Sequence, residues 1–237
     1  MVELADSKAF ANSLIIKFAN QSKMPLYTTI LHDSKTEILL WKITESLDQL
    51  LEEVPLNEKS KARLTSMKSV SHQRGFLSVR KLLQEKNYSD FDLYYDEFGK
   101  PHLSDGKHIS ISHSHEFSSI ILSDENCGID LEMQREKIIT IAHKFTETEN
   151  RFLNPNEKDY IQKLTVIWGA KEAIFKIRNE VGISFKDHIH INAFDIIQKQ
   201  TTATLNFENK KTQYNIFFEE VENFTLVYAF EKVVSKQ

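Results

Sequence analysis

"KHISISHSHEFSSIILSDENCGIDLE" occupies residues 107–132 and reads as strands following one another closely. Ile109 and Ile111 alternate with Ser110 and Ser112, the period-two spacing of a half-buried strand. A polar patch then leads into the apolar-rich "FSSIILS". The pattern predicts two strands, 108–112 and 117–123, joined by a short loop. After the turn-like "SDENC", "GIDLE" (128–132) supplies a third strand. Alternate side chains of a strand share a face, so Ile129 and Leu131 point into a core while Asp130 and Glu132 lie together on the other side. Two carboxylates side by side repel each other, and the arrangement calls for a reason.

Upstream, "KSKARLTSMKSVSHQRGFLSVRKLLQEKN" (59–87) has the apolar spacing of an amphipathic helix, with Val70, Leu77, Leu82 and Leu83 among charges. Downstream, "IITIAHKF" and "TETENRFL" read as helical, with Thr146 as N-cap and Glu149 completing a capping box. "DYIQKLTVIWGAKEAIFKIRN" (159–179) is the strongest helix signal. "HIHINAFDII", "TATLNFE", "YNIFFEEVE" and "FTLVYAFEKVV" then read as successive antiparallel strands. Helices and antiparallel strands grouped in two halves give an α+β class. The turn residues near 120–127 place a junction there, dividing the chain into 1–124 and 125–237.

Composition sets bounds on function. The 237 residues are 41% hydrophobic, with only 6 Gly and 4 Pro, which excludes a collagen-like chain and argues against disorder. A single cysteine, Cys127, excludes an internal disulfide framework and fits a reducing compartment. The first residues lack the basic-then-apolar order of a signal peptide, and no apolar run approaches the ~18 residues of a membrane span. The expectation is a soluble, cytoplasmic protein without a membrane partner. A net charge of −4 argues against general affinity for nucleic acid. Between Lys59 and Gln84, however, Lys59, Lys61, Arg63, Lys68, Arg74, Arg80 and Lys81 stand with no acidic residue among them. Such a block is either a solvated helix face or a phosphate site.

Same-face carboxylates suit a hard cation, and Mg²⁺ takes one or two of them while filling its other positions with water and substrate phosphates. A bare Asp-x-Glu is more often a solvated face. "WGAKEAIFK" (168–176) offers a third acid: Glu172 and Lys176 sit four apart at the margin of a helical stripe of Leu164, Ile167, Trp168, Ile174 and Phe175. As a surface pair these two would contribute only ~0.3–0.5 kcal/mol. Lys171 projects within the stripe itself, so it must either lie along the surface or pair with an acid.

"GIDLE" and "WGAKEAIFK", forty positions apart, together resemble the paired signature of the 4′-phosphopantetheinyl transferases, G-[IV]-D-[ILV]-E and W-x-x-K-E-[AS]-x-x-K. "FGKPHL" (98–103), "ISISHSHEF" (109–117) and "HKFTETE" (143–149) resemble further family segments in the same order. The length and the basic helix ending in "SVRKLL" resemble the two-domain type that activates surfactin-type synthetases. The resemblance implies a pseudo-dimer of two similar helix-plus-antiparallel-sheet halves with the active site between them. It implies transfer of phosphopantetheine from coenzyme A to a serine of an acyl, peptidyl or polyketide carrier protein, releasing adenosine 3′,5′-bisphosphate. It further implies Mg²⁺ (or Mn²⁺) held by Asp130 and Glu132, with Glu172 as third ligand or as general base, and Lys176 on the pyrophosphate. Ser112 and His113 would contact the nucleotide, His113 at the 3′-phosphate, with Lys100 facing the phosphates. Lys59, Lys61, Arg63 and Arg74 are further candidates. A monomer is the expected state. Position 169 is Gly where the family often carries Ser, Cys or Thr, a departure expected to loosen the helix slightly.

Two other readings compete. The His-x-His pairs 113–115 and 188–190 have the spacing for two imidazoles on one strand face, as in a zinc enzyme. A non-catalytic relative that binds coenzyme A or a carrier would keep the scaffold alone.

Overall fold

The computed structural model describes residues 14–16 and 26–232. Strands β1 (Leu14–Ile16), β2 (Leu26–Leu31) and β3 (Glu37–Lys42) come first, followed by helices α1 (Leu47–Glu53), α2 (Glu58–Ser66) and α3 (Val70–Gln84). A small hairpin of β4 (Leu93–Tyr95) and β5 (Pro101–Leu103) precedes β6 (His108–Ser114), β7 (Phe117–Ser123) and β8 (Cys127–Met133). Then come α4 (Lys137–Ile141), α5 (Tyr160–Arg178), α6 (Phe185–His188), β9 (Ile189–Ile191), β10 (Gln200–Phe207), β11 (Lys210–Val221) and β12 (Phe224–Glu231). The α+β class follows directly.

The strands form two five-stranded sheets in the orders β1-β2-β3-β7-β6 and β8-β12-β11-β10-β9, with every pairing antiparallel. The first sheet packs α1–α3 on one face, through Leu39, Trp41, Ile120 and Leu122 against Leu50, Leu77 and Leu82. The second packs α5 on one face, through Ile216, Val227 and Ala229 against Leu164, Ala170 and Ile174. Their remaining faces meet: Ile38, Leu40, Phe117 and Ile121 share a core with Ile129, Leu131, Leu226 and Tyr228. Strands apolar on both faces, such as "EILLWK" and "FSSIILS", are therefore central strands buried from two sides.

At one margin β6 and β8 run side by side without a shared backbone ladder. The edge of β8 that faces β6 carries buried N–H groups that need acceptors. The Ser110 hydroxyl accepts from the Ile129 N–H (3.1 Å) and the Ser112 hydroxyl from the Leu131 N–H (3.2 Å). The alternating serines of "SISHS" thus join the two sheets.

Several elements depart from the sequence reading. The helix expected over 59–87 is two helices, broken at Met67–Ser69, where the Gln73 side chain donates to the Leu64 and Met67 carbonyls. Val70 is consequently exposed at the start of α3 rather than part of its apolar stripe. The capping box at Thr146 and Glu149 does not form: the Thr146 hydroxyl donates back to the Ala142 carbonyl, and Glu149 turns inward. "HIHINAFDII" forms a strand only at Ile189–Ile191 and then a short 3-10 turn. Among the described residues no helix is long and apolar enough to cross a membrane.

Replacing Ser110 by Ala strands the buried Ile129 N–H, so equilibrium denaturation is expected to show a loss of about 1–3 kcal/mol. An unchanged midpoint would mean that the seam does not depend on this hydroxyl.

Candidate active site

Gly128 decides how close α5 comes to β8. A Cβ there would lie 2.0 Å from the Ala173 carbonyl oxygen, so only glycine lets the helix backbone rest on the strand. Cys127, Ile129 and Leu131 take the inter-sheet core, and Asp130 and Glu132 are turned toward α5. The same close approach explains Gly169. A Cβ there would stand 2.7 Å from Val227 Cγ2, so the glycine tightens the helix–sheet contact, opposite to the expected loosening. It also keeps clear the space beside Asp130 Oδ2, 3.6 Å from where that Cβ would be.

Asp130 is buried and held from one side only. Its Oδ1 accepts from the Ser112 hydroxyl (3.0 Å) and from Lys176 Nζ (2.9 Å). Lys176 donates as well to the Ile129 carbonyl at 2.7 Å. The other oxygen, Oδ2, is buried with no hydrogen-bond partner. Glu132 Oε2 accepts from the Ser114 hydroxyl at 3.3 Å. Burial, and then the Asp130 charge, push the Glu132 carboxyl above the ordinary range. Glu172 is pushed up to about 7, first by burial and then by Asp130, against the opposing pull of Lys176. The three acids feel one another across a space that a cation would neutralise. Among the described residues no three or more His, Cys, Asp or Glu side chains stand together so that they could hold a metal ion between them. The donor set, with one orphaned buried oxygen, nonetheless has the chemistry for an ion that keeps some of its waters.

Beside the acids lies a pocket of ≈ 270 Å³ whose lining includes Arg63, Tyr95, Lys100, Ser112, His113 and Lys176. Lys176 therefore links the carboxylates to the pocket. Lys100 donates to the Asn126 side chain and to the Ile177 carbonyl, 2.8 Å away near the C-terminal end of α5, and burial lowers its pKa. Burial also lowers that of His113, helped by His72, Lys176 and Arg63. The His113 ring rests over Gly75 of α3, where a Cβ would stand 3.2 Å from its Cγ. Arg63 is stacked near Tyr95, 4.9 Å from the ring centre.

The pocket thus gathers Arg63, Lys100, Ser112, His113 and Lys176, with Asp130, Glu132 and Glu172 alongside. It leaves out the other basic candidates. Lys59 is exposed and does not line it, and Lys61 pairs with Glu58 on the surface. Arg74 turns away to donate to the Ile43 carbonyl. Arg80 reaches the pocket wall but is committed to a buried pair with Asp90 at 2.9 Å. Sequence reasoning missed Gly75 and Tyr95; a glycine inside a helix was the signal for the first.

The His-x-His pairs form no metal site. His115 sits in the β6–β7 turn at φ 53°, which takes it off the strand alternation that would align it with His113. His188 accepts from the Ser184 N–H at the end of α6. Lys171 takes the second of its alternatives: it is fully buried and pairs with Glu149 at 2.8 Å, donating also to the Phe145 and Phe185 carbonyls.

Residues 126–229, which carry β8, α5 and all three acids, match the family model described as the 4′-phosphopantetheinyl transferase superfamily. Over these residues the chain is similar to that superfamily. A curated relative, the 4′-phosphopantetheinyl transferase gsp of Aneurinibacillus migulanus, is 30% identical over 153 residues. The match covers 62% of each chain, so this chain spans about 62% of the length of the curated relative it matches.

Replacing Lys171 by Met would leave the Glu149 carboxylate buried without its counter-charge, and a loss of about 3–5 kcal/mol is expected by chemical denaturation. Adding Glu149→Gln should recover part of it. At Gly169, Thr should cost about 1–3 kcal/mol through overpacking on Val227, relieved by Val227→Ala in the same measurement.

Proposed function

We propose that the protein is a holo-carrier-protein synthase, transferring 4′-phosphopantetheine from coenzyme A to a serine of an acyl, peptidyl or polyketide carrier protein. The observation that carries this reading is the continuity of the basic pocket with the three carboxylates through Lys176. The superfamily match and the relative's printed activity support it. The two-domain, surfactin-synthetase-activating type is part of the same reading. The two sheets, each with helices on its outer face, support a pseudo-dimer of halves 1–124 and 125–237. A monomer located in the cytoplasm completes the reading.

Coenzyme A joins a highly charged nucleotide to its pantetheine arm through a pyrophosphate, and transfer breaks that link. Arg63, Lys100 and His113 supply the positive and donor groups for the nucleotide phosphates. Lys176 is placed to contact the pyrophosphate and to balance charge that grows on the leaving phosphate. Asp130 and Glu132 would hold Mg²⁺ or Mn²⁺, with Glu172 either as third ligand or as general base, and the ion when bound would neutralise charge on the pyrophosphate oxygens. Ser112 keeps Asp130 oriented through Oδ1, leaving Oδ2 for the ion. As general base, Glu172, whose carboxyl burial and Asp130 push up to about 7 while no cation is bound, would take the proton of the attacking serine hydroxyl. The zinc reading has no geometry behind it.

Intact-mass spectrometry of an apo carrier protein incubated with this chain, coenzyme A and Mg²⁺ is expected to show the phosphopantetheine mass gain, lost with EDTA. Asp130→Ala should abolish the gain while circular dichroism stays unchanged. Near-wild-type turnover in that variant would remove the assignment of Asp130 to the ion. No gain on any carrier, from folded chain that still binds coenzyme A, would favour a non-catalytic relative.

A further inference from the structure

The tight turn between β6 and β7 consists of His115 and Glu116, with Ser114 paired to Phe117 across it. Its first residue lies at φ 53°, in the left-handed region where glycine is the usual occupant of such a turn. A histidine there carries a conformational cost that its side chain must offset. The ring does make specific contacts. Its Nδ1 lies 3.2 Å from the Ser114 hydroxyl, and its Nε2 lies 3.4 Å from Nη1 of Arg135. The Ser114 hydroxyl in turn donates to Glu132 Oε2 at 3.3 Å.

The direction of every proton in this chain follows from the chemistry. A guanidinium only donates, so His115 Nε2 accepts and the ring's hydrogen sits on Nδ1. Nδ1–H then donates to the serine oxygen, which frees the hydroxyl hydrogen for Glu132. Arg135, His115, Ser114 and Glu132 form one unbroken line of donors ending on a carboxylate oxygen.

We propose that Ser114 and His115 are positioning residues for Glu132, holding Oε2 so that the other carboxylate oxygen is presented to the cation. Partners of this kind fix the rotamer of a metal-binding carboxylate and keep its electron density directed at the ion. The inference rests on the cation reading given under the proposed function. Ser112 holds Asp130 in the same manner one residue pair away, so the two acids are oriented by successive same-face serines of one strand.

The test is Mn²⁺ binding to the full chain in the presence of coenzyme A, read from the electron paramagnetic resonance signal of free Mn²⁺. Ser114→Ala and His115→Gly are each expected to weaken binding by about tenfold, the lower end for loss of such a partner. Glycine suits the turn, so His115→Gly keeps the fold, and its thermal unfolding without metal should match the wild type. His115→Asn, which tolerates a positive φ and retains a donor, should bind more tightly than the glycine variant. The Mg²⁺ concentration giving half-maximal transfer should rise in parallel. Wild-type affinity in both Ser114→Ala and His115→Gly would overturn the proposal while leaving the cation reading intact. Failure of the wild-type chain to bind Mn²⁺ would overturn the cation reading and this proposal with it.

Discussion

The hydrogen bonds from the backbone of β8 to the hydroxyls of Ser110 and Ser112 hold together two sheets that share no ladder. An edge strand must place its N–H groups somewhere, and a neighbouring backbone is the usual partner. A serine can do what a carbonyl cannot. The Ser112 oxygen accepts the Leu131 N–H and its hydrogen goes to Asp130. Ser114 spends its hydrogen on Glu132 in the same way. Net contributions of about 1 kcal/mol per bond make the seam a modest part of the stability. It matters because the strand that joins the sheets also hydrogen-bonds the acids.

The buried charges separate into two kinds. Lys171 with Glu149, and Arg80 with Asp90, are closed pairs whose remaining donors meet carbonyls and hydroxyls and whose carboxylates accept from backbone N–H groups and a hydroxyl. The first fastens α5 to the segment after α4 and, through the Ile191 N–H, to β9. The second fixes the start of α2, where Asp90 also binds the Asn57 N–H. Neither has capacity left for a ligand. Asp130, Glu132 and Glu172 are the contrary case: three acids, one nearby ammonium, and an oxygen with no partner. Burial without full pairing is costly, and a protein retains it where a ligand completes the set.

Much of the site was legible in the sequence. The alternation of "GIDLE" put Asp130 and Glu132 on one face, and the helical spacing of "WGAKEAIFK" put Glu172 and Lys176 together at its margin. Both are local periodicities, which depend only on backbone geometry. The basic run from Lys59 to Lys81 was less informative because charge balance is not local. Glu58 stands just before the run and pairs locally, but the partners Glu53 and Asp90 lie farther off, and the fold brings them in. The helix break at Met67–Ser69 escaped notice for a related reason. It is stabilised by the Gln73 side chain, a contact that exists only once the helices are placed.

By itself the sequence determined the strand and helix periods, the α+β class, the pairing of acids by face, and the need for Lys171 to find a partner. The tertiary structure alone decided that the partner is Glu149, and that Arg63 and Lys100 reach the pocket while Lys59, Lys61 and Arg74 do not. It also decided that Gly128 and Gly169 are demanded by the packing of α5 on the second sheet. The reason is the same in each case. Period and polarity are properties of neighbours along the chain, whereas a close approach of backbones, or an ion pair between distant elements, depends on which surfaces the whole fold brings into contact.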